Sequence, residues 1–466
     1  MIPPQNFKTE ATAILNWIDR YFARLRELPV KSHVKPREVY NKIAPQAPLE
    51  GECMEQILND LDSVIIPGIT HWQHPSFHAY FPANSSYESL LGEMVTAAIG
   101  AQCMVWETSP AAAELEQRMT EWMADAAALP KAFTGVIQDS ASSATLVAII
   151  TARERATRFQ SNLNGVPGGL RVYCSSEAHS SIEKGVGVAG IGRNNVVKIE
   201  TDSEQRMIPE KLEEAIHRDI AAGLTPICVV AAMGTTGTLG IDPLHQIADI
   251  CTKYNVWLHV DAAYAGAALV LPEYRHIFHG IEHADSLVFN PHKWMFVNFD
   301  CSLYYVKDPD LLIRTFAILP EYLKTATYGA VNDYRDWGIP LGRRFRALKL
   351  WFVLRGFGLE GIRQKMRDHI SLNEYFAWQI SQSGYFILLK KPLLGFTLFC
   401  VNAQDDSISE KLLAAVNASG EIYLSHTKVN GRFAIRFHAT QTYIQKSDID
   451  KAVATLHRYA EQQKVC

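Results

Sequence analysis

Val256-Trp257-Leu258-His259-Val260-Asp261 is the stretch that decides the fold of this 466-residue chain, and Ser286-Leu287-Val288-Phe289-Asn290-Pro291-His292-Lys293-Trp294 follows it further on. Each stretch is built on a largely apolar run, which is typical of a strand covered on both faces of a parallel sheet. Asp261 ends the first run, and Lys293 comes shortly after the second. The two stretches therefore predict successive buried strands with an acid and an amine near their carboxyl ends.

Strands and helices alternate on both sides of these stretches. We predict further strands at Val172–Cys174, Val196–Ile199 and Ile227–Met233, and helices at Ser143–Phe159 and Pro209–Ala222. Such alternation predicts an α/β domain with a mostly parallel sheet, in which ligands bind beyond the carboxyl ends of the strands. We expect one site there, where four residues near predicted strand ends converge: His179, Thr236, Asp261 and Lys293.

The pairing of Lys293 with Asp261 is what pyridoxal phosphate chemistry requires. A lysine amine forms a Schiff base with the aldehyde of this cofactor, and an aspartate keeps the pyridine nitrogen protonated, so that the ring accepts electrons from a substrate carbanion. Apolar neighbours would bury Lys293 and lower its pKa, as that role needs. A single lysine after a strand is more often solvated, and a structural arginine would also satisfy Asp261. The two residues in this order favour the cofactor.

A candidate phosphate site lies where Gln138-Asp139-Ser140-Ala141-Ser142-Ser143 runs into a helix. Small hydroxyl residues and free backbone N–H groups at a helix N-terminus bind phosphate with the help of the helix dipole. An ordinary serine N-cap is the more frequent explanation of this segment by itself. Asn290 and His292 would add donors beside the lysine.

His179 and Ala263 are candidates for the two faces of the cofactor ring. His179 follows a predicted strand, where it would stack on the ring and donate to the substrate carboxylate. A hydrogen-bonded core histidine is an equally good explanation from the local sequence. Ala263 is small enough for the opposite face of the ring to lie against it.

Composition and charge exclude several classes of function. A formal net charge of −4 gives no electrostatic reason to bind nucleic acid or an anionic membrane. No apolar run approaches the ~20 residues of a membrane span, and the N-terminus lacks the features of a secretion signal. Eight scattered cysteines predict reduced thiols in a cytoplasmic protein, and no histidine pattern predicts a metal site.

Three regions differ in character along the chain. Residues 1–86 are predicted to form a helical N-terminal segment that serves dimerisation, with aromatic residues concentrated in His71–Phe81. Residues 87–365 form the predicted large α/β domain. Residues 366–466 change to a pattern of strands and flanking helices, which predicts a small C-terminal α+β domain.

Ordered motifs run along nearly the whole chain. They are His74-Pro75 with Ala79–Pro82, Ser109-Pro110 with Glu114–Glu116, Ala178–Ser181, Gly234–Gly237, His259–Tyr264, Asn290–Trp294, Asn298–Ser302, Asp333–Trp337 and Ile339–Arg346. In this order they resemble the group II decarboxylases that depend on pyridoxal phosphate, and within them the aromatic-L-amino-acid decarboxylase branch.

The resemblance implies a fold-type I homodimer with active sites shared between the subunits and pyridoxal 5'-phosphate as cofactor. It implies that Lys293 bears the cofactor, Asp261 pairs with the pyridine nitrogen and His179 stacks on the ring. Further positions near the cofactor match Ala141, Ser142, Thr236, Asn290 and His292.

The same resemblance implies the substrate side of the site. Tyr322 matches a catalytic acid on a loop over residues 318–336. Matching substrate positions are Trp72, Tyr80, Phe81, Pro82, Gln102, Met104, Arg335 and Gly342, of which Gln102 and Met104 are expected to reach across from the partner subunit.

The expected reaction is decarboxylation of an aromatic L-amino acid to its amine and CO₂. Gly342 is the small residue associated with indole-sized substrates, whereas Ala83, Gln102 and Met104 depart from the threonine, isoleucine and phenylalanine of the animal DOPA-type enzymes.

Three alternatives stay open. Oxidative deamination would give an aldehyde, although relatives that do this tend to have Asn in place of His179 or Phe in place of Tyr322. An acidic amino acid would be the substrate in a glutamate-type enzyme, against which Ala79–Pro82 argues, and a catalytically silent protein would retain only the fold.

Overall fold

The computed structural model describes residues 6–318, 327 and 329–462, which fall into two compact units. Unit one contains the residues up to Tyr80, Ser371–His426 and the residues from Phe433 onward. Unit two contains Phe81–Ile370 and Thr427–Arg432. The predicted acid, Tyr322, lies outside the described residues.

The α-helices of the two units can be given in chain order. They are α1 (Phe7–Arg24), α2 (Glu38–Lys42), α3 (Met54–Asp60), α4 (Tyr87–Ile99), α5 (Pro110–Ala126), α6 (Ala141–Ala156), α7 (Ser161–Asn164), α8 (Ser181–Val188), α9 (Pro209–Ala221), α10 (Leu244–Tyr254), α11 (Pro291–Trp294), α12 (Pro309–Phe316), α13 (Arg346–Ser381), α14 (Asp406–Ser419) and α15 (Lys446–Gln462). Helix α13 is interrupted at Gly358, whose φ of 67° is not helical.

A seven-stranded sheet organises unit two. Its strands are β1 (Thr134–Gln138), β2 (Leu170–Ser175), β3 (Val196–Ile199), β4 (Thr225–Ala232), β5 (Trp257–Asp261), β6 (Ser286–Phe289) and β7 (Ser302–Val306). They lie in the order β1-β7-β6-β5-β4-β2-β3. Strand β7 is antiparallel to both neighbours, and the pairs from β6 to β3 are parallel. The predicted α/β fold with a mostly parallel sheet is confirmed.

Apolar strands covered by helices explain why the sheet is stable. Strand β6 is buried along its whole length, and β5 is buried except at Asp261. Helix α6 places Ala144, Val147 and Ala148 in the same core. Full burial of a valine or leucine side chain is worth about 1.5–3 kcal/mol, so this core fixes the strand ends that carry the polar residues.

Unit one has its own small sheet and core. The sheet has four strands, β8 (Phe386–Leu388), β9 (Phe396–Val401), β10 (Ser425–Val429) and β11 (Arg432–His438), in the order β10-β11-β9-β8; of these, β8, β9 and all of β11 after Arg432 belong to unit one. Strand β9 is antiparallel to β8 and β11. Phe376 stacks on Phe437 in the centre of the core, with ring centroids 3.5 Å apart. Across both units, no helix in the described residues is long and apolar enough to cross a membrane.

Candidate active site

A cavity of about 280 Å³ lies in unit two beyond the carboxyl ends of β4, β5 and β6. Ten of the residues named from the sequence line it: Phe81, Ala141, Ser142, His179, Thr236, Asp261, Ala263, Asn290, His292 and Lys293. The strand ends thus bring together side chains that are far apart along the chain. Convergence at this edge is what a parallel sheet imposes on polar residues that follow its strands.

Lys293 belongs to the short helix α11, directly after β6. Its backbone N–H donates to the carbonyl oxygen of Asn290 at 2.9 Å, and its Nζ lies 5.6 Å from the ring centroid of Phe81. Burial lowers the pKa of the Lys293 amine below its ordinary value, and the negative charge of Asp261 opposes that shift. A larger fraction of the amine is therefore unprotonated at neutral pH and available as a nucleophile.

Asp261 is the last residue of β5 and points its carboxylate into the cavity. Its Oδ1 accepts a hydrogen bond from the N–H of Ala263 at 3.1 Å, and its backbone oxygen accepts from Met233 at 2.8 Å. The side chain is thereby oriented by the turn that follows the strand. A carboxylate fixed in this way can hold a cationic ring nitrogen.

The surroundings of His292 fix which ring nitrogen carries the proton. Its Nδ1 accepts from the backbone N–H of Cys301 at 3.0 Å. Burial, reinforced by the charge of Lys293, lowers the pKa of His292 to about 3, so the imidazole is neutral. A neutral ring that accepts at Nδ1 carries its proton on Nε2. His292 is therefore a donor at Nε2.

His179 has the same arrangement at the other side of the cavity. Its Nδ1 accepts from the N–H of Ser181 at 3.1 Å and lies 2.8 Å from the Ser181 hydroxyl. Burial lowers the pKa of His179; the nearby Asp261 charge opposes this shift and the Lys293 charge adds to it. The proton of the neutral ring is again on Nε2, which leaves a donor for an anionic group.

The N-terminus of α6 and Asn290 provide further polar groups. Ser140 is the N-cap of α6, and its hydroxyl accepts from the N–H of Ser143 at 3.2 Å. The backbone N–H groups of Ala141 and Ser142, in the first turn, have no acceptor within the helix. The Oδ1 of Asn290 is buried and has no hydrogen-bond partner in the described residues. The two N–H groups suit a bound anion, and the Asn290 oxygen is an acceptor for a hydrogen-bond donor.

Aromatic rings form a stack beside the lysine. Phe81 stacks on Tyr264 with centroids 4.1 Å apart, and Tyr264 stacks on Trp294 at 5.1 Å. Two rings of the stack, Phe81 and Tyr264, line the cavity and give it an apolar side. Pro82, the next predicted wall residue, is buried in unit two. Trp72 and Tyr80 belong to unit one, where their rings stack 5.7 Å apart.

Four other predicted substrate residues form a separate cluster in unit two, which we call the Gln102 cluster: Gln102, Met104, Arg335 and Gly342. The N–H of Arg335 donates to the carbonyl oxygen of Met104 at 2.9 Å. The Gln102 Oε1 accepts from the N–H of Arg343 at 2.8 Å. None of the four is among the described residues that line the cavity. The segments around Gln102 and Gly342 are thus paired, although far apart in sequence.

Several cavity residues were not predicted. They are Ser140, Ser181, Ala232, Gly234, Thr235, Tyr264 and Phe299. Most of them are neighbours of predicted residues in the motifs, and the run of small and hydroxyl residues Gly234–Gly237 after β4 was the available signal for Thr235. Phe299, whose ring centroid lies 4.7 Å from that of His292, belongs to the motif Asn298–Ser302, for which no role was predicted.

Comparison with known proteins identifies the family. Residues 36–402 match the pyridoxal-dependent decarboxylase conserved domain. The chain belongs to the pyridoxal-dependent decarboxylases. It is 38% identical to the aromatic-L-amino-acid decarboxylase of Manduca sexta over 96% of this chain and 90% of that protein. It is 41% identical to the phenylacetaldehyde synthase of Arabidopsis thaliana over 91% of this chain and 89% of that one.

Solved structures of relatives agree with this family. The crystal structure of Oryza sativa TDC with PLP and tryptamine has a TM-score of 0.96 to this structure and is 30% identical, over 99% of both chains. The protein is therefore a decarboxylase that depends on pyridoxal 5'-phosphate, as predicted.

The residues of the cavity fit this cofactor. The amine of Lys293, the carboxylate of Asp261 and the first turn of α6 supply an aldehyde-reactive group, a partner for a protonated pyridine nitrogen and a phosphate site. The Oδ1 of Asn290 is a buried acceptor without a hydrogen-bond partner in the described residues, so it is available to a donor in the cavity.

Proposed function

We propose that the protein decarboxylates an aromatic L-amino acid to the aryl amine and CO₂. The observation that carries the proposal is the convergence of Lys293, Asp261 and His179 on one cavity beside the ring of Phe81. Tryptophan, 5-hydroxytryptophan, DOPA, tyrosine and phenylalanine are the candidate substrates. Two relatives that are aromatic-L-amino-acid decarboxylases support an aromatic substrate.

The cofactor end of the site is assigned to the sheet and to α6. Bound pyridoxal 5'-phosphate supplies an electron sink for the pair that remains when CO₂ leaves. Lys293 holds the cofactor through Nζ, and the Asp261 carboxylate keeps a proton on the pyridine nitrogen. Ala263, which lines the cavity, would lie against one face of the ring. The first turn of α6 (Ala141 and Ser142) would donate to the phosphate oxygens, with Thr236, Asn290 and the His292 Nε2 proton nearby.

The substrate end of the site needs an anion donor and a proton donor. The hydrogen bond at Nδ1 leaves the Nε2–H of His179 free to donate a hydrogen bond to the substrate carboxylate, which would orient the bond that breaks. Tyr322 is the proposed donor to Cα after CO₂ leaves, on the strength of the motif alone, because it lies outside the described residues. A phenol donor must come within about 2.6–3.2 Å of the carbon that it protonates.

A second candidate function is oxidative deamination to the aromatic aldehyde. The observation that favours it is the 41% identity to a phenylacetaldehyde synthase. Retention of His179 and Tyr322 argues for the amine, because prompt protonation at Cα denies oxygen the carbanion. The product therefore decides between the two functions.

The test is a product analysis on the five candidate substrates and on glutamate. Amine, aldehyde, CO₂ and hydrogen peroxide are measured with purified protein loaded with pyridoxal 5'-phosphate, and Lys293→Ala serves as the control. We expect amine and CO₂ in equal amounts with no peroxide, no turnover by Lys293→Ala, and loss of the wild-type absorbance band above 400 nm in that variant. Aldehyde with peroxide would establish the alternative function, and turnover of glutamate alone would overturn the aromatic proposal.

We further propose a cytoplasmic homodimer with shared active sites. Helix α1 has no buried residue, and its apolar Phe7 and Leu15 are 56% and 46% exposed, as expected of a predicted dimerisation segment, residues 1–86. The Gln102 cluster would then contribute to the site of the partner subunit.

The test is co-expression of Arg335→Ala with Lys293→Ala. Each variant is expected to be inactive alone, and the two together should regain part of the activity, because a mixed dimer contains one intact site. Absence of recovery in verified mixed dimers would place both residues in the site of one subunit.

A further inference from the structure

One side of the cavity is built by the segment Met233–Ile241, which we call the cavity loop. Gly234, Thr235 and Thr236 of this loop line the cavity, and it connects β4 to α10. The loop closes on itself: the N–H groups of Gly234 and Thr235 both donate to the carbonyl oxygen of Gly240 at 3.0 Å. The Thr235 Oγ1 in turn accepts from the N–H of Gly240 at 2.8 Å.

Asp242 lies at the neck of this loop and is 1% exposed. Its Oδ1 accepts from the N–H of Met207 at 2.8 Å, and its Oδ2 accepts from the N–H of Ala232, the last residue of β4, at 2.8 Å. Its own N–H donates to the carbonyl oxygen of Ala232 at 3.0 Å. In the part of the chain that the structure describes, this carboxylate forms no ion pair. Two backbone N–H groups from different segments therefore hold it.

The segment Gln205–Met207 also packs directly on the cavity loop. A Cβ on Gly240 would collide with the carbonyl oxygen of Gln205, so a glycine is needed for the two segments to approach this closely. The Asp242 carboxylate spans the same junction. The close approach at Gly240 and the two hydrogen bonds of Asp242 therefore hold the same two segments together.

Ionisation of Asp242 is coupled to these two hydrogen bonds. Burial raises the pKa of Asp242 to about 7, while the N–H groups of Met207 and Ala232 lower it. The two donors are what favours the carboxylate over the neutral acid. Loss of either one would weaken the whole junction.

We propose that Asp242 is a positioning residue that holds the cavity loop on the segment Gln205–Met207 and so keeps Thr235 and Thr236 in place for the cofactor. The proposal rests on the proposed function in one respect only, the assignment of the cavity to pyridoxal 5'-phosphate. A loop that is fixed before binding loses less conformational entropy when the cofactor enters. Weaker fixation therefore appears as weaker cofactor affinity.

The test compares Asp242→Asn with Asp219→Asn. The amide introduced by Asp242→Asn retains one acceptor oxygen and turns an NH₂ group toward the second N–H, so one hydrogen bond is lost. Asp219 is a matched control, because it is a buried acid of unit two whose carboxylate accepts from the hydroxyl of Tyr173 at 2.8 Å and does not line the cavity. Two measurements are made: hydrogen exchange of the apo proteins and the Kd of added pyridoxal 5'-phosphate.

Asp242→Asn should accelerate exchange in residues 205–207 and 232–242 and raise the cofactor Kd about tenfold, as the loss of one charge-assisted hydrogen bond predicts. Asp219→Asn should change neither. Gly240→Ala pushes the same segments apart but retains Asp242, so it should reproduce the changes in exchange and Kd expected of Asp242→Asn. If Asp242→Asn does not fold, the result for Gly240→Ala tests the proposal in its place. Wild-type exchange and Kd in Asp242→Asn, or equal effects in the control, would overturn the proposal. Because exchange is measured without cofactor, it gives a result even if Lys293 proves not to bear the cofactor.

Discussion

The side-chain nitrogen of Gln102 lies 3.2 Å from the position that a Cβ on Gly342 would occupy. The Gln102 side chain is held there because its Oε1 accepts from the N–H of Arg343. Glycine at position 342 leaves free the space beside this exposed amide. The size of the side chain at position 342 therefore sets the space beside the amide of Gln102.

Gly342→Ser is expected to lower kcat/KM for tryptophan about tenfold more than for tyrosine, because a hydroxymethyl group takes the space that an indole needs. The kinetic constants for both substrates provide the check. Adding Gln102→Ala should relieve the crowding and restore part of the tryptophan activity. Equal losses on both substrates would mean that Gly342 does not face the substrate ring.

Asp261→Ala is expected to leave pyridoxal 5'-phosphate bound but to reduce kcat by two or more orders of magnitude, because the pyridine nitrogen loses the group that keeps it protonated. A shift of one pKa unit corresponds to about 1.4 kcal/mol, or a factor of about ten in rate. Asp261→Asn is the matched variant, since it retains an oxygen for the N–H of Ala263. A kcat near the wild-type value in either variant would reject the assignment.

Tyr322→Phe is expected to slow amine formation and to raise aldehyde, ammonia and hydrogen peroxide, with oxygen consumed. The reason is that the carbanion persists when no phenol protonates it. Product ratios and an oxygen electrode give the measurement. Amine formation at the wild-type rate without oxygen uptake would transfer the role to another donor, and His179→Asn would then be the next variant.

Acid should destabilise unit one through His78. This ring is fully buried, its Nδ1 lies 2.7 Å from the carbonyl oxygen of His438, and burial lowers its pKa to about 4. Because the unfolded chain has the ordinary pKa of about 6.5, the unfolded state binds the proton first as the pH falls. The stability from this residue is therefore complete above pH ~6.5 and is lost as the pH falls toward 4.

The measurement is the free energy of unfolding of the apo protein between pH 7.5 and about 4.5. Below pH ~6.5 the slope should be smaller in His78→Asn than in the wild type by up to about 1.4 kcal/mol per pH unit. His283→Asn, at an exposed histidine, should keep the wild-type slope. Identical slopes in all three proteins would show that His78 does not titrate with unfolding.

The strands that carry the site were predictable because their local sequence is unambiguous. Val196–Ile199 and Ser286–Phe289 match β3 and β6 residue for residue, since each is a short apolar run between polar segments. Strands β1 and β7 were not predicted. Strand β1 contains Gly135, a residue that strands rarely contain, and the reason is tertiary: a Cβ there would lie 2.6 Å from the Thr120 side chain and 2.7 Å from Tyr305.

The cavity was predictable to the extent that its residues follow strands. Asp261, Lys293 and their neighbours converge because the sheet brings its carboxyl ends together. The pairing of the segment at Gln102 with the segment at Gly342 could not be predicted, because it joins residues more than two hundred positions apart through backbone and amide hydrogen bonds. No periodicity of either segment indicates the other.

The stack of Phe81, Tyr264 and Trp294 has an optical consequence. Trp294 follows Lys293 directly, is fully buried, and has its indole N–H 3.2 Å from Nδ1 of His369. Lys293 is the residue proposed to bear the cofactor, and an indole held rigidly next to such a chromophore would transfer its excitation energy to it. With the cofactor on Lys293, quenching of the Trp294 emission would follow loading and release without any added dye, and Trp294→Phe would remove that part of the signal.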